Sequence, residues 1–102
     1  MEINETSFGK VTGKGVSLVD FYATWCGPCK AQEPIIKELE KNFTGRAVVT
    51  KMDVDQNRDT AAKLGISSIP TVVVFKDGKE VERFIGLQNR QTLSAALESA
   101  LL

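Results

Sequence analysis

The sequence predicts an α/β fold in which a central mixed sheet of four to five strands carries helices on both faces. Runs rich in β-branched residues alternate with segments of helical periodicity, which favours parallel strands joined by crossover helices. Near the end, two β runs flank Asp77-Gly78, a pair typical of tight hairpins, so antiparallel strands follow. The length of 102 residues, with 42% hydrophobic and 25% charged residues, fits one domain spanning 1–102.

The N-terminal part of the chain predicts three elements. Residues 2–4, "EIN", would form at most a reduced edge strand, so a fifth strand is in doubt. A short helix is expected at about 7–12. Residues 16–23, "VSLVDFYA", combine β-branched and aromatic residues and predict a buried strand.

An amphipathic helix is predicted over 30–43, followed by a second strand over 46–54. Pro34 lies within this helix and is expected to kink it, because proline cannot donate the backbone hydrogen bond. Gly45 follows its end, where a left-handed residue is often needed. The predicted apolar face consists of Ala31, Ile35, Leu39 and Phe43.

The remaining chain predicts a short helix, a hairpin and a terminal helix. Residues 57–65 form the short helix, with Asn57 as its cap and Gly65 as its end. The hairpin spans 71–86. The terminal helix, 89–102, has an apolar stripe of Leu93, Ala96, Leu97, Ala100 and Leu101.

Charge and composition exclude several classes of function. Thirteen basic and thirteen acidic residues balance to zero, which argues against nucleic acid or a membrane surface as a main partner. The N-terminus has no secretory signal pattern, and the longest apolar run, 72–75, is far shorter than a membrane span, so we expect a cytoplasmic protein. The chain has no histidine, which excludes Ser-His-Asp and Cys-His catalysis.

The only two cysteines, Cys26 and Cys29, lie where the first strand gives way to the long helix. Cys26 is expected near the helix N-cap, where unpaired N–H groups and the helix dipole stabilise a thiolate. Only the thiolate attacks a disulfide. Gly27 and Pro28 keep the loop tight, and Pro28 suits the first turn. We expect Cys26 to be exposed and nucleophilic, and Cys29 to be buried beneath it.

Two other interpretations of the cysteine pair are a zinc site and a structural disulfide. A zinc site needs four ligands, and the chain has no second cysteine or histidine pair to complete one. A purely structural disulfide would close a short loop and contribute little, and it is unexpected in a cytosolic protein. A Cys-x-x-Cys pair beside a βαβ pattern instead favours a redox couple.

Four segments together resemble the thioredoxin family, over roughly residues 3–102. They are "VDFYATWCGPCK" (19–30), "KMDVDQN" (51–57), "GISSIPTVVVFKDGK" (65–79) and "FIGLQNRQTLSAAL" (84–97). The resemblance implies the thioredoxin fold. Cys-Gly-Pro-Cys favours the reducing members over isomerases and periplasmic oxidases, which usually carry a histidine between the cysteines.

Asp20 and Lys51 are the predicted supporting residues. Asp20 interrupts an apolar strand run, so it is either a buried carboxylate with a raised pKa or a strand-edge residue facing solvent. The resemblance matches Asp20 to the buried aspartate that helps take the proton from the resolving cysteine. It matches Lys51 to the lysine that pairs with that aspartate.

The resemblance also implies a docking surface for substrate proteins. The Ile69–Pro70 bond would be cis and face Cys26, and the Ile69 backbone would pair with an extended substrate segment. Trp25 precedes the nucleophile and would be part of this shallow apolar surface. The predicted contacts are Trp25, Gly27, Pro28, Ile69, Pro70, Gly86 and Leu87.

The function implied is reduction of protein disulfides through a reversible Cys26–Cys29 disulfide, without a cofactor or metal. The implied partners are a thioredoxin reductase, dependent on NADPH and flavin or on ferredoxin, and proteins that contain disulfides. The chain would act as a monomer. Two alternatives stay open: a disulfide oxidase or isomerase on the same fold, and a non-catalytic binding subunit.

Overall fold

A four-stranded mixed sheet organises the computed structural model, which describes residues 1–102. In chain order the elements are α1 (Glu5–Thr12), β1 (Val16–Tyr22), α2 (Gly27–Asn42), β2 (Val48–Asp53), α3 (Arg58–Lys63), β3 (Thr71–Lys76), β4 (Lys79–Ile85) and α4 (Arg90–Leu101). The strand order is β2-β1-β3-β4. β1 and β2 are parallel, while β3 runs antiparallel to both β1 and β4. The predicted α/β mixed sheet is therefore confirmed.

The two faces of the sheet bury separate cores. Alternate residues of β1 point to opposite faces, as strand geometry requires. Leu18 belongs to the larger cluster, under α2 and α4, whereas Val19 and Phe21 belong to the smaller one. Phe8 of α1 packs against that smaller cluster. No helix of the structure is both long enough and apolar enough to span a membrane.

The predicted edge strand over 2–4 does not form. Glu2 makes one isolated parallel bridge with Lys51, and the Ile3 N–H donates to the Lys51 carbonyl at 2.9 Å. The chain then turns away because the Asn4 side chain accepts two N–H groups of the first turn of α1. α1 consequently begins directly after Asn4, and the sheet has four strands.

The predicted apolar face of α2 is partly wrong, because Ala31 is exposed and Ile35 only half-buried. A buried glutamine explains the difference. The Gln32 side chain donates to the Gln88 carbonyl at 3.0 Å and accepts the Gln88 N–H at 2.9 Å, so its burial leaves no polar atom unpaired. The buried side chains of this segment are Cys29, Gln32, Ile36, Leu39 and Phe43.

Asn57 does not cap α3, contrary to prediction. It precedes the helix, but its side chain makes no capping hydrogen bond. Instead it donates to the Asp53 carbonyl and accepts the Glu5 N–H, both at 2.9 Å. Asn57 therefore ties the end of β2 to the start of α1, which are far apart in the sequence.

The predicted hairpin between β3 and β4 is confirmed. Its two-residue turn is Asp77-Gly78, with φ of 51° and 86°. Such turns need a positive φ at both central positions, which asparagine, aspartate and glycine tolerate best. The Asp77 carboxylate also accepts the Gly15 N–H at 2.8 Å, so this turn contacts the loop before β1.

Replacing Leu97 with alanine is expected to lower the free energy of unfolding by about 2–5 kcal/mol, because it removes a fully buried side chain and leaves a cavity. Urea unfolding of the oxidised protein measures the change. Leu102, which is 99% exposed, supplies the matched control: Leu102→Ala should alter the stability by less than about 0.5 kcal/mol. Similar effects of both substitutions would contradict the assigned core.

Candidate active site

A disulfide joins Cys26 and Cys29 at the N-terminus of α2, with their Cα atoms 5.3 Å apart. Cys26 is the N-cap residue, and its sulfur accepts the Cys29 N–H at 3.2 Å. Gly27 and Pro28 form the start of the first turn, where the missing N–H of proline leaves no partner unpaired. The predicted position of the cysteines is confirmed. A thiolate formed at Cys26 would face a backbone N–H and the positive end of the helix dipole.

Contrary to prediction, Cys26 is buried. Only 4% of its surface is accessible, the same fraction as for Cys29. Its sulfur turns inward to cap the first turn of α2, and Ile69 packs against the small cluster around the disulfide. The Cys26 sulfur lies 3.9 Å from the Ile69 carbonyl oxygen. In this oxidised state the two sulfurs are therefore equally buried, and exposure does not distinguish the attacking cysteine.

The loop before β3 lies against the disulfide, since Ile69 packs on the cluster that contains both cysteines. The Ile69–Pro70 peptide bond is cis, as predicted. The Pro70 carbonyl accepts the Gly86 N–H at 2.8 Å, which joins the loop after β4 to the loop before β3. The seven predicted docking residues differ in exposure: Trp25, Gly27, Pro28 and Leu87 are exposed, Ile69 and Gly86 are half-buried, and Pro70 is buried.

Trp25 is held in place by a residue that the sequence did not indicate. The indole Nε1 donates to the Asp55 carboxylate at 2.8 Å, although 70% of Trp25 is exposed. Asp55 lies just after β2, and the Asp53 side chain accepts its N–H. A polar residue in a turn has many possible roles, so no sequence pattern singles out Asp55 as this partner.

Asp20 is buried within β1, with only 2% of it exposed. Burial raises its pKa to about 7; the charge of Lys51 lowers it, and that of Glu33 raises it. One carboxyl oxygen, Oδ1, has no hydrogen-bond partner in the protein. The solvent-facing alternative for Asp20 is therefore wrong, and a carboxyl able to exchange a proton near neutral pH lies inside the sheet.

Lys51 does not pair directly with Asp20, although the two residues are cross-strand neighbours on β1 and β2. Its ammonium nitrogen instead lies 2.6 Å from the Glu33 carboxylate. That hydrogen bond is the main reason that the pKa of Lys51 is raised and that of Glu33 lowered. The Lys51 ammonium is therefore bound by a partly exposed carboxylate on α2, while its charge still lowers the pKa of Asp20.

Glu33 is a residue of the site that was not predicted from the sequence. It lies four residues after Cys29 on the same helix, a spacing that brings two side chains to one face. Applying that spacing to the acidic residues of α2 would have placed Glu33 beside the cysteine.

An open pocket of about 270 Å³ reaches the Cys29 side of the disulfide. Its lining residues are Tyr22, Ala23, Thr24, Cys29, Lys30, Glu33 and Lys51. Tyr22 donates its hydroxyl to the Glu2 carboxylate, and desolvation together with this bond raises its pKa, so it stays a phenol. Cys29 and the Lys51–Glu33 ion pair therefore line one pocket that is open to solvent.

The sulfurs are bonded to each other, and the structure contains no group of three or more Cys, Asp and Glu side chains that could hold a metal ion. What the arrangement offers chemically is a disulfide at a helix N-terminus, preceded in the chain by a strand that holds a buried carboxyl. This disulfide can react with the thiolates of other proteins, and its reduced dithiol can react with their disulfides.

The family model and the sequence relatives that match this chain belong to the same family. The family model described as Thioredoxin matches residues 1–99. The thioredoxin of Staphylococcus saprophyticus is 44% identical over 101 residues, which cover 99% of this chain and 97% of that protein. The thioredoxin of Staphylococcus aureus matches with the same identity and coverage.

Solved structures agree with the sequence relatives. A mutant thioredoxin from Halobacterium salinarum superposes with a TM-score of 0.90 and 39% identity, covering 99% of this chain and 88% of that one. The thioredoxin of Malassezia sympodialis superposes with a TM-score of 0.87 and 33% identity, covering 97% and 87% of the two chains. Both likenesses extend over nearly the whole chain.

Proposed function

This chain belongs to the thioredoxin family, and from that membership we propose a role for each residue of its site. The chain is a protein-disulfide oxidoreductase that carries electrons by thiol–disulfide exchange. The observation that carries this conclusion is the Cys26–Cys29 disulfide at the N-terminus of α2.

In the reducing direction, the Cys26 thiolate attacks one sulfur of a substrate disulfide. A mixed disulfide forms, and the other substrate sulfur leaves as a thiolate. Cys29 then loses its proton and attacks Cys26, which re-forms the Cys26–Cys29 bond and releases the second substrate thiolate. Two electrons pass from the dithiol to the substrate, and the two substrate thiolates take up the two protons that the cysteines release. The N–H of Cys29 supports this assignment, because it points at the Cys26 sulfur.

Asp20 is proposed as the group that accepts the Cys29 proton. A pKa of about 7 supports this role, since a base works best when its pKa lies near the operating pH. Lys51 is proposed as an indirect electrostatic partner, because its charge favours the carboxylate form of Asp20 without a direct contact.

The docking surface is proposed to consist of the seven residues Trp25, Gly27, Pro28, Ile69, Pro70, Gly86 and Leu87. The exposure of Trp25 and Leu87 supports it, as does the hydrogen bond that joins the loops of Pro70 and Gly86. The Ile69 backbone would pair with an extended substrate segment, and Pro70, which is buried, would be part of the surface by fixing the loop that presents Ile69.

The partners are redox proteins. We propose that a thioredoxin reductase, using NADPH and flavin or ferredoxin, recharges the disulfide, and that the chain acts in the cytoplasm as a monomer. The balanced charge supports the absence of nucleic-acid and membrane partners.

Reduction of insulin disulfides tests the function directly. The oxidised protein is supplied with each candidate reductase, or with dithiothreitol, and insulin precipitation is followed. Turnover is expected with at least one reductant, and none with any would overturn the reducing role. A redox potential far more oxidising than the cytosolic glutathione poise would instead favour the oxidase or isomerase alternative.

Replacing Trp25 with alanine is expected to raise KM for insulin roughly tenfold with little change in kcat, because an exposed aromatic anchor is lost while the sulfurs are untouched. Steady-state kinetics measure both constants. Val81→Ala is the matched control, since Val81 is also exposed but lies on β4 beside α4. A fall in kcat at constant KM would contradict the docking role.

A further inference from the structure

Lys51 lies between two carboxylates and contacts only one of them. Asp20 is its cross-strand neighbour in the sheet, and Glu33 reaches it from α2. The ammonium–carboxylate distance to Glu33 is 2.6 Å, whereas the Asp20 Oδ1 atom has no hydrogen-bond partner. The Lys51 ammonium therefore does not bind the buried Asp20 carboxyl, because it is bound to Glu33.

We propose that Glu33 is a positioning residue for the step in which Cys29 loses its proton: it holds the Lys51 ammonium in the Cys29 pocket and leaves the Asp20 carboxylate free to act as the base. The proposal rests on the proposed function and deepens it. Glu33 touches neither sulfur of the disulfide bond in the structure, so its action is through Lys51.

The proton and electron movements in this step are balanced within the site. The Cys29 S–H bond breaks and its proton passes to an Asp20 oxygen. The Cys29 electron pair forms the Cys26–Cys29 bond, while the bond from Cys26 to the substrate sulfur breaks and that sulfur leaves as a thiolate. A Lys51 ammonium paired with Asp20 would stabilise the carboxylate and weaken it as a base.

The other charged groups near the pocket come from three parts of the fold. α2 contributes Lys30 to the lining and Lys37 beside Glu33. β2 contributes Asp53 and the N-terminal segment contributes Glu2, both of which act on Tyr22 of β1. Among all the charged groups of the site, only Lys51 and Glu33 shift the pKa of Asp20 appreciably. Removing Glu33 therefore changes the one ion pair that influences Asp20.

The first test measures Asp20 itself in the oxidised protein. The carboxyl carbon of Asp20 is titrated by NMR in the wild type and in Glu33→Gln, where we expect the midpoint to fall by roughly one pH unit or more as Lys51 moves to Asp20. Glu38→Gln is the matched control: it removes another α2 carboxylate from an ion pair, with Arg90 at 2.7 Å. An unchanged midpoint in Glu33→Gln, or an equal fall in Glu38→Gln, would overturn the proposal.

A second test separates positioning from simple charge repulsion. The same titration is made for Lys51→Met with and without Glu33→Gln. If Glu33 acts through Lys51, the effect of Glu33→Gln should shrink to less than about half when the lysine is absent, as coupled residues require. An equal effect in both backgrounds would show that Glu33 acts by its own charge, which would overturn the positioning role.

The activity readout uses the pH profile of the Cys29 attack on a preformed mixed disulfide. Glu33→Gln should move the profile to lower pH by the same amount as the Asp20 midpoint, and Glu38→Gln should not. A wild-type protein that fails to reduce insulin would refute the proposed function. A wild type that reduces insulin, with a profile that Glu33→Gln leaves unmoved, would refute only the role of Glu33.

Discussion

Replacing Cys26 with serine is expected to abolish insulin reduction, with a loss of at least about 10³-fold, as for an essential nucleophile. The hydroxyl of serine is a far weaker nucleophile than a thiolate, and no other sulfur in the chain can replace it. Cys29 is the only remaining cysteine, and it lies inside the first turn of α2 rather than at the N-cap. Insulin precipitation with dithiothreitol or a reductase measures the loss.

Cys29→Ser is the matched variant for this prediction. It keeps the attacking sulfur but removes the resolving one, so it should accumulate a mixed disulfide with insulin that is visible on a non-reducing gel. Cys26→Ser should accumulate none. Trapping by Cys26→Ser rather than by Cys29→Ser would reverse the assigned roles.

The double variant Cys26→Ser, Cys29→Ser addresses the non-catalytic alternative. A binding subunit would keep its function without either sulfur, whereas an electron carrier loses it completely. Retained function in the double variant would therefore contradict the redox role, whatever the single variants show.

The architecture was predictable because its elements carry local patterns. The apolar β1 run, the Asp77-Gly78 turn and the stripe of α4 each predict their structure without knowledge of the rest of the chain. The face of α2 was not predictable in the same way. Gln32 is polar, and its burial depends on the backbone of Gln88, which only the folded chain brings near.

The candidate site likewise contains features that the local sequence predicts and features that depend on the folded chain. The position of Cys26 at a helix N-terminus follows from a local strand-to-helix boundary, and burial of Asp20 is one of the two placements that its apolar neighbours allow. The partner of Lys51 depends instead on a competition between Asp20 and Glu33 in three dimensions. Its outcome is set by how far each carboxylate is removed from solvent, which the sequence does not specify.

Replacing Asp20 with asparagine is expected to stabilise the oxidised protein at alkaline pH. The pKa of Asp20 is about 7 in the folded protein and 3.8 in the unfolded chain. At 1.36 kcal/mol per pKa unit, this difference corresponds to about 4 kcal/mol of stability lost by the wild type. Urea unfolding of both proteins at pH 4, 6 and 8 measures the change.

The sign follows from where the proton is bound. Below pH 3.8 the carboxyl is protonated in both states, so it adds no penalty. Between 3.8 and about 7 the folded state holds more protons than the unfolded state, so the stability of the wild type falls as the pH rises. Above about pH 7 the penalty is complete and constant. The stability advantage of Asp20→Asn should therefore be small at pH 4 and largest at pH 8.

A matched control separates burial from the mere loss of a charge. Glu82 is an exposed carboxylate on β4 without an ion pair, so Glu82→Gln should change stability by less than about 0.5 kcal/mol at every pH. An equal gain at pH 4 and pH 8 for Asp20→Asn would show that the effect is packing rather than ionisation.

The same substitution should slow disulfide reduction near pH 7, because the base for Cys29 is removed. A penalty of about 4 kcal/mol is a large part of the 5–15 kcal/mol that stabilises an ordinary domain. The fold itself does not require an ionisable side chain at a position where ionisation lowers stability by so much. A role in the reaction explains why an aspartate is there. Greater stability together with slower reduction would identify Asp20 as the proton acceptor. Greater stability with unchanged reduction at every pH would remove it from the mechanism.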